Sequence, residues 1–175
     1  SYDSLFPGIN GRLGEFNALL ALRGIAELDA GANHRREIAA SYTQALTALT
    51  GLSVQQVHPE DLCSYKDFTL WVDEERFGMS RNALAVALRA ENIDSRAYYD
   101  PPVHRQTAYR QLVDRYQEKL PVTNKLANGV LSLPIGSSMD SDAVERVWRA
   151  AATTSAEEIA AIANALVERG IGRSD

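Results

Sequence analysis

What this chain has little of narrows its chemistry first. It holds one cysteine, Cys63, among 175 residues, so no internal disulfide can form. Cys63 has no evident partner and reads as a packing residue rather than a nucleophile. No C-x-x-C pair and no H-E-x-x-H occurs, so a metal site has no support. There is no G-x-S-x-G nucleophile elbow, no Walker loop and no G-x-G-x-x-G. No apolar run approaches the roughly 18 residues of a membrane-spanning helix. A net charge of −5 without any Lys/Arg run argues against a nucleic-acid surface. Carboxylates are plentiful, but no pair is marked out as acid and base. The opening Ser1-Tyr2-Asp3-Ser4-Leu5-Phe6 has neither a Met start nor a targeting pattern. It reads as the middle of a protein, and the expected location is the cytoplasm.

What is present is enough apolar residue, 45%, for a real core in one domain or in part of a larger one. Residues 13–29 repeat helically, with Leu13, Phe16 and Leu20 on one stripe and Leu19, Leu22, Ile25 and Ala26 on another. A helix apolar on most sides must be buried on most sides, so this one needs a partner surface or is a central core helix. A second helix is predicted over 32–49 from Ile38, Tyr42, Ala45 and Leu49, with Gly51 as its C-cap. His34, Arg35 and Arg36 read as its solvated side. Residues 52–57 form a short strand, and 66–73 alternate cleanly, with Phe68, Leu70 and Val72 on one face and Thr69 and Trp71 on the other. A loop is expected over 74–79. Ser80 caps a helix running to about Glu91, and 93–99 reads as another strand, stopped by Asp100-Pro101-Pro102. A strand–helix–strand run of this length predicts an α/β layer with helices on one side. Short helices follow over 109–116 and 123–130, then a strand at 131–134 and a helix opened by Asp140, Ser141 and Asp142 with Val144, Val147 and Trp148 on its apolar face. Residues 151–154 are the nearest thing to a linker, and Ser155-Ala156-Glu157-Glu158 is a capping box for a last helix ending at Gly170.

Two stretches stand out chemically. Pro7-Gly8-Ile9-Asn10-Gly11-Arg12-Leu13-Gly14-Glu15 is a glycine-rich turn running into an apolar helix. A helix N-terminus offers free N–H groups and the positive end of the dipole, which suits an anion such as phosphate. Taken alone, the stretch reads better as a plain loop and helix start. Tyr98-Tyr99-Asp100-Pro101-Pro102-Val103-His104 places a histidine after a rigid turn. That histidine either meets a ligand or bonds to the backbone, and local chemistry favours the structural role.

Gly8-Ile9-Asn10-Gly11-Arg12 resembles the G-x-N-x-R motif of the DegT/StrS-type sugar aminotransferases, which use pyridoxal phosphate (PLP). Four further blocks match that family in order: Arg36–Leu46, Tyr65–Val72, Ile93–Tyr109 and Val130–Pro134 with the helix after it. Order and spacing together are more specific than any single block, and they span about residues 6–150.

The resemblance implies the C-terminal portion of a type I PLP-dependent transferase fold: a small mixed or antiparallel sheet packed with helices, plus a long N-terminal helical segment. Residues 1–50 would be the end of the large domain and connecting helices, and 51–175 the small C-terminal α/β domain. The family's Schiff-base lysine precedes the G-x-N-x-R motif, on a segment absent here. Lys66, Lys119 and Lys125 are the only lysines, and none lies in its context. No catalytic residue is therefore expected in this chain. The resemblance assigns Asn10 to the PLP phosphate of the neighbouring subunit in a homodimer with shared active sites. It assigns Arg12 to a substrate phosphate or to a pair with Glu15, and Tyr99 and His104 to the sugar-nucleotide site. Lys66 is either a diphosphate contact or a strand-surface lysine. The implied reaction moves an amino group from an amino acid, Glu or Gln, to a keto-deoxysugar linked to a nucleoside diphosphate. The alternatives are a PLP-dependent sugar dehydratase of the same family and a non-catalytic binding or assembly module without PLP.

Overall fold

Alternation along residues 68–72 sets the layout. In the computed structural model, which describes residues 11–153, Phe68, Leu70 and Val72 of strand β2 (Phe68–Val72) are buried, and Thr69 and Trp71 turn to the opposite face. β2 is the middle strand of an antiparallel sheet, between β1 (Leu52–Val54) and β3 (Val130–Leu133). Leu52 stands opposite Val72, Leu131 opposite Leu70 and Leu133 opposite Phe68, so the three strands pool their apolar side chains on one face.

Helices α2 (Leu28–Leu46), α4 (Arg81–Ala90) and α7 (Ser141–Thr153) close that face. They bring Tyr42 and Leu46, Leu84 and Leu88, and Val147 and Ala151 into one core. The Tyr42 ring stacks on Phe68 at 5.0 Å between centroids, and its hydroxyl donates to the Pro134 carbonyl at 3.0 Å. Burial raises the pKa of this phenol well above its usual value. Beyond a short helix α5 (Val113–Tyr116), α6 (Pro121–Gly129) lies against the other face of the sheet. There the Lys125 ammonium sits 5.0 Å from the centre of the Trp71 ring. The one-sided helix layer expected from the sequence is thus corrected: Gly129 lets α6 press onto Trp71 from the far side, where an added Cβ would stand 2.4 Å from the indole nitrogen.

α1 (Glu15–Ala26) packs on α2 but buries none of its own residues. Leu13 just ahead of it, and Phe16, Leu19, Leu20, Leu22 and Ile25 around it, are 56–73% exposed. Among the described residues it is no core helix. The break between α1 and α2 falls at Glu27, and α2 continues through Gly31, where a Cβ would meet Ser137 Oγ at 2.8 Å.

Several local expectations are corrected. The strand predicted over 93–99 shrinks to one bridge: Arg96 N–H donates to the Ser132 carbonyl at 2.9 Å, and Ser132 N–H to the Arg96 carbonyl at 2.7 Å. The next hydrogen-bonding positions along that edge are Val130 and Pro134. Val130 has already given its N–H to the Leu126 carbonyl at the end of α6, and Pro134 has none. Neither position can make a second pair joined by two hydrogen bonds.

The expected loop at 74–79 holds a short helix, α3 (Glu74–Phe77), capped by the Asp73 carboxylate and ended by left-handed Gly78. Gly51 is not the cap of α2, which ends at Thr47. It turns with φ +87° into β1 where a Cβ would lie 2.3 Å from the Phe77 nitrogen. Residues 151–153 are the last turn of α7, not a linker, and Ala151 is buried. Trp148 is half-exposed, and Ala150 and Ala151 take the inward positions beside Val144 and Val147. The side of α2 expected to be solvated instead holds neighbouring chain. Arg35 donates to the Ser64 carbonyl at 2.7 Å and to Ser137 Oγ at 2.6 Å, and a His34 ring nitrogen lies 2.6 Å from the Met139 carbonyl oxygen. The capping box at 155–158 and its helix lie outside the described residues.

Candidate functional site

The approach to α1 contains the first group of predicted residues. Asn10 lies outside the described residues. Arg12 is exposed on the approach to the helix. Gly14 is the N-cap and contributes no side chain, so among the described residues no side-chain acceptor is seen to cap the first turn of α1. Its leading amides and the positive end of the dipole therefore face the Gly11–Gly14 approach.

The second group sits on the segment from Arg96 to Arg105. The Asp100 amide closes a turn onto the Ala97 carbonyl at 2.9 Å, and the Tyr98–Tyr99 and Asp100–Pro101 peptide bonds are cis. The Tyr98 and Tyr99 rings lie 5.1 Å apart, and Tyr99 is 67% exposed. The two rings line a cavity of about 300 Å³ with Pro102, Val103, Leu126 and Val130. Five residues on, His104 points inward and is buried, with Nε2 3.0 Å from Asn124 Oδ1. The same amide donates from Nδ2 to the Gln117 carbonyl at 2.6 Å. Its oxygen must then be the acceptor toward the imidazole, so the neutral ring carries its proton on Nε2 and keeps Nδ1 as an acceptor. Arg105 completes the set by donating from Nε to Gln117 Oε1 at 2.9 Å.

The turn is also held from α4. Arg81, the first residue of that helix, is buried and reaches Asp100 Oδ2 at 2.5 Å. On the other side of Tyr98, exposed Lys66 borders a polar cleft of about 240 Å³ with Asp67, Asp94 and Arg96, and Arg96 is paired to Asp94 at 2.7 Å. A larger cavity of about 590 Å³ opens between α6 and the sheet over Trp71 and Lys125.

The structure thus brings Tyr99 and His104 onto one fixed turn and leaves Arg12 to a different element. The sequence reading missed Arg81, Asn124 and Gln117. Arg81 carried one readable signal: a cation in the first turn of a helix that has no acidic residue there, against the sense of the dipole. Asn124 and Gln117 gave none, because their partners are distant side and main chains.

A small antiparallel sheet backed by helices, with a long apolar helix leading into it, is the C-terminal portion of a type I PLP-dependent transferase fold. It superposes on a DegT/DnrJ/EryC1/StrS aminotransferase from Brucella abortus with a TM-score of 0.70 at 26% identity, over 86% of this chain and 38% of that one. The model of the DegT/DnrJ/EryC1/StrS aminotransferase family matches residues 1–152, and the chain belongs to that family. It is 29% identical over 143 residues to dTDP-4-amino-4,6-dideoxy-D-glucose transaminase of Escherichia coli, covering 82% of this chain and 38% of the relative. It is 32% identical over 149 residues to dTDP-3-amino-3,6-dideoxy-alpha-D-galactopyranose transaminase of Aneurinibacillus thermoaerophilus, covering 85% and 38%. The chain therefore spans less than two fifths of the length of these relatives.

Proposed function

We propose that the chain is the C-terminal part of a PLP-dependent aminotransferase that moves an amino group from glutamate or glutamine to a nucleoside-diphosphate-linked keto-deoxysugar. The observation that carries this reading is the match of the family model over residues 1–152. Both transaminases named above act on dTDP-linked amino-dideoxysugars, which supports the substrate class. In this reading residues 1–50 end the large domain and 51–175 form the small one. The working unit is a cytoplasmic homodimer with shared active sites. No helix among the described residues is long and apolar enough to cross a membrane.

The residues at hand fit one end of the cofactor. The uncapped start of α1 suits a phosphate, and Asn10 would add a neutral amide donor to it. They do not fit the other end: Lys125 is engaged over Trp71, and Lys66 is an exposed residue at the polar cleft beside Tyr98. When bound, PLP supplies the electron sink for amine transfer. The chain's part is to hold its phosphate through Asn10, to meet the substrate phosphates with Arg12 and to shape the sugar-nucleotide side with Tyr99 and His104.

The test uses the complete protein. With PLP, glutamate and a dTDP-linked keto-deoxysugar, formation of 2-oxoglutarate in step with the aminosugar is expected. Loss of water from the sugar with no donor consumed would replace the reading by a dehydratase, and failure to retain PLP would replace it by a binding module. Asn10→Ala is expected to weaken PLP retention, and unchanged retention would remove the phosphate role.

A further inference from the structure

We propose that Arg81 is a positioning residue for substrate binding: through Asp100 it fixes the turn that presents Tyr99 beside the cavity at Pro102 and Leu126. The proposal rests on the sugar-nucleotide reading above and adds to it a residue outside the turn.

Arg81 is an unusual residue for its place. It is 5% exposed, whereas Asp100 is about one-third exposed. Burying a guanidinium is costly unless it is paired. Its Nε is buried without a hydrogen-bond partner, so even the pairing it has is incomplete. It also stands at the start of α4, the positive end of the helix dipole, where the first turn has no acidic residue. The end of α4 is already capped by Ser80, whose hydroxyl accepts from the Ala83 amide at 3.2 Å. Helix α4 therefore gains nothing from an arginine here. What Arg81 does have is Asp100, at 2.5 Å. That carboxylate answers the guanidinium, and it lies in the turn next to Tyr99.

The turn needs such a hold. Upstream, it is tied to the sheet by the single Arg96–Ser132 bridge. Downstream, His104 and Arg105 are fixed to Asn124 and Gln117. Between those anchors, the Asp100 amide bonds only within the turn, to Ala97. Arg81–Asp100 is the side-chain tie of the turn to a helix of the core. Tyr99, two-thirds exposed, stacks near Tyr98 and makes no hydrogen bond of its own among the described residues. Its position is inherited from the backbone that Arg81 holds.

The experiment compares the complete PLP-loaded enzyme with its Arg81→Met, Arg81→Lys and Asp100→Asn variants. Each is measured for kcat, for KM of the nucleotide sugar, for affinity toward dTDP and UDP, and for amide hydrogen exchange over residues 97–103. In Arg81→Met we expect KM to rise roughly 10-fold with kcat changed less than about twofold, the pattern of lost binding rather than lost chemistry. Exchange over 97–103 should quicken while exchange in β2 stays unchanged. Arg81→Lys should recover part of the affinity, because it keeps the charge but not the fork. Asp100→Asn should show the same KM rise, and its folded fraction is read from the β2 exchange. Unchanged exchange over 97–103 in Arg81→Met overturns the proposal, as does quickened exchange with unchanged KM and nucleotide affinity. A parent that binds neither nucleotide overturns the sugar-nucleotide reading instead. The exchange data then still decide whether Arg81 holds the turn.

Discussion

α1 and α7 are both helices rich in apolar residues, and they meet opposite fates. α7 is apolar on one side. It turns Val144, Val147, Ala150 and Ala151 onto the core and keeps the Glu145–Arg149 pair in solvent. α1 is apolar on most sides and buries none of its residues. A one-sided helix needs one surface, and α7 finds it in α2, α4 and the sheet. A helix with Phe16, Leu19, Leu20, Leu22 and Ile25 spread around its circumference cannot be satisfied by one flat neighbour. Apolar content thus states how much cover is required, and its angular spread states from how many directions.

The comparison breaks hardest in the core. Phe68→Ala removes a ring stacked on Tyr42 and should cost about 3–5 kcal/mol in a denaturant titration. Leu20→Ala on α1 should cost this chain no more than about 0.5 kcal/mol, as at an open surface. In the complete protein the same change should cost about 2–5 kcal/mol, provided the helix is covered there. Equal costs in both settings would mean that α1 is uncovered in the complete protein as well.

Glycines sharpen the contrast at the next level. Gly129→Ala would drive a Cβ to 2.4 Å from the Trp71 indole nitrogen and 2.9 Å from the Val72 carbonyl oxygen. Overpacking of that kind should cost about 1–3 kcal/mol, read as a lower unfolding midpoint. Gly24→Ala, in mid-α1 with nothing within 4 Å, should instead stabilise this chain by about 0.5–1 kcal/mol through helix propensity. In the complete protein the sign of that second change reports whether the covering surface comes close to Gly24.

Tyr42→Phe should give a modest effect, about 0.5–1.5 kcal/mol at neutral pH for the bond to Pro134. It also has a pH signature. The Tyr42 pKa is raised in the folded state, chiefly by burial. Its contribution is therefore fully present below the ordinary phenol value of 10.0 and is lost as pH rises beyond it. The parent should lose stability above that pH more steeply than the variant, which denaturant midpoints on both sides of it will measure.

Much of the fold was legible from single residues. The alternation at 68–72 located β2 and its buried face, Ser80 marked the start of α4, and Asp140 does cap α7, accepting from the Ala143 amide at 2.9 Å. What failed depended on residues far away in sequence. Residues 93–99 read as a strand by composition, yet only Arg96 pairs, because the opposing Val130 amide is spent on the end of α6 and Pro134, just past β3, has none. Gly51 read as the C-cap of α2, but it is there for close approach to Phe77. The turn from Tyr98 to His104 was legible as a rigid segment from its prolines, and the structural leaning for His104 agrees with its burial. Its partner was not legible, because Asn124 lies twenty positions on.

The edge of β3 has a consequence beyond this one fold. An exposed row of unpaired strand amides and carbonyls is a template on which foreign chains can add, and proteins blunt such edges to stay out of aggregates. Here the blunting uses no charged gatekeeper. One end donor is spent on the preceding helix, the other is deleted by proline, and Arg96 occupies the single position between them. At the opposite border, β1 offers only three residues. Along the β3 border, among the described residues, no outward-facing amide is left over for a foreign strand to accept.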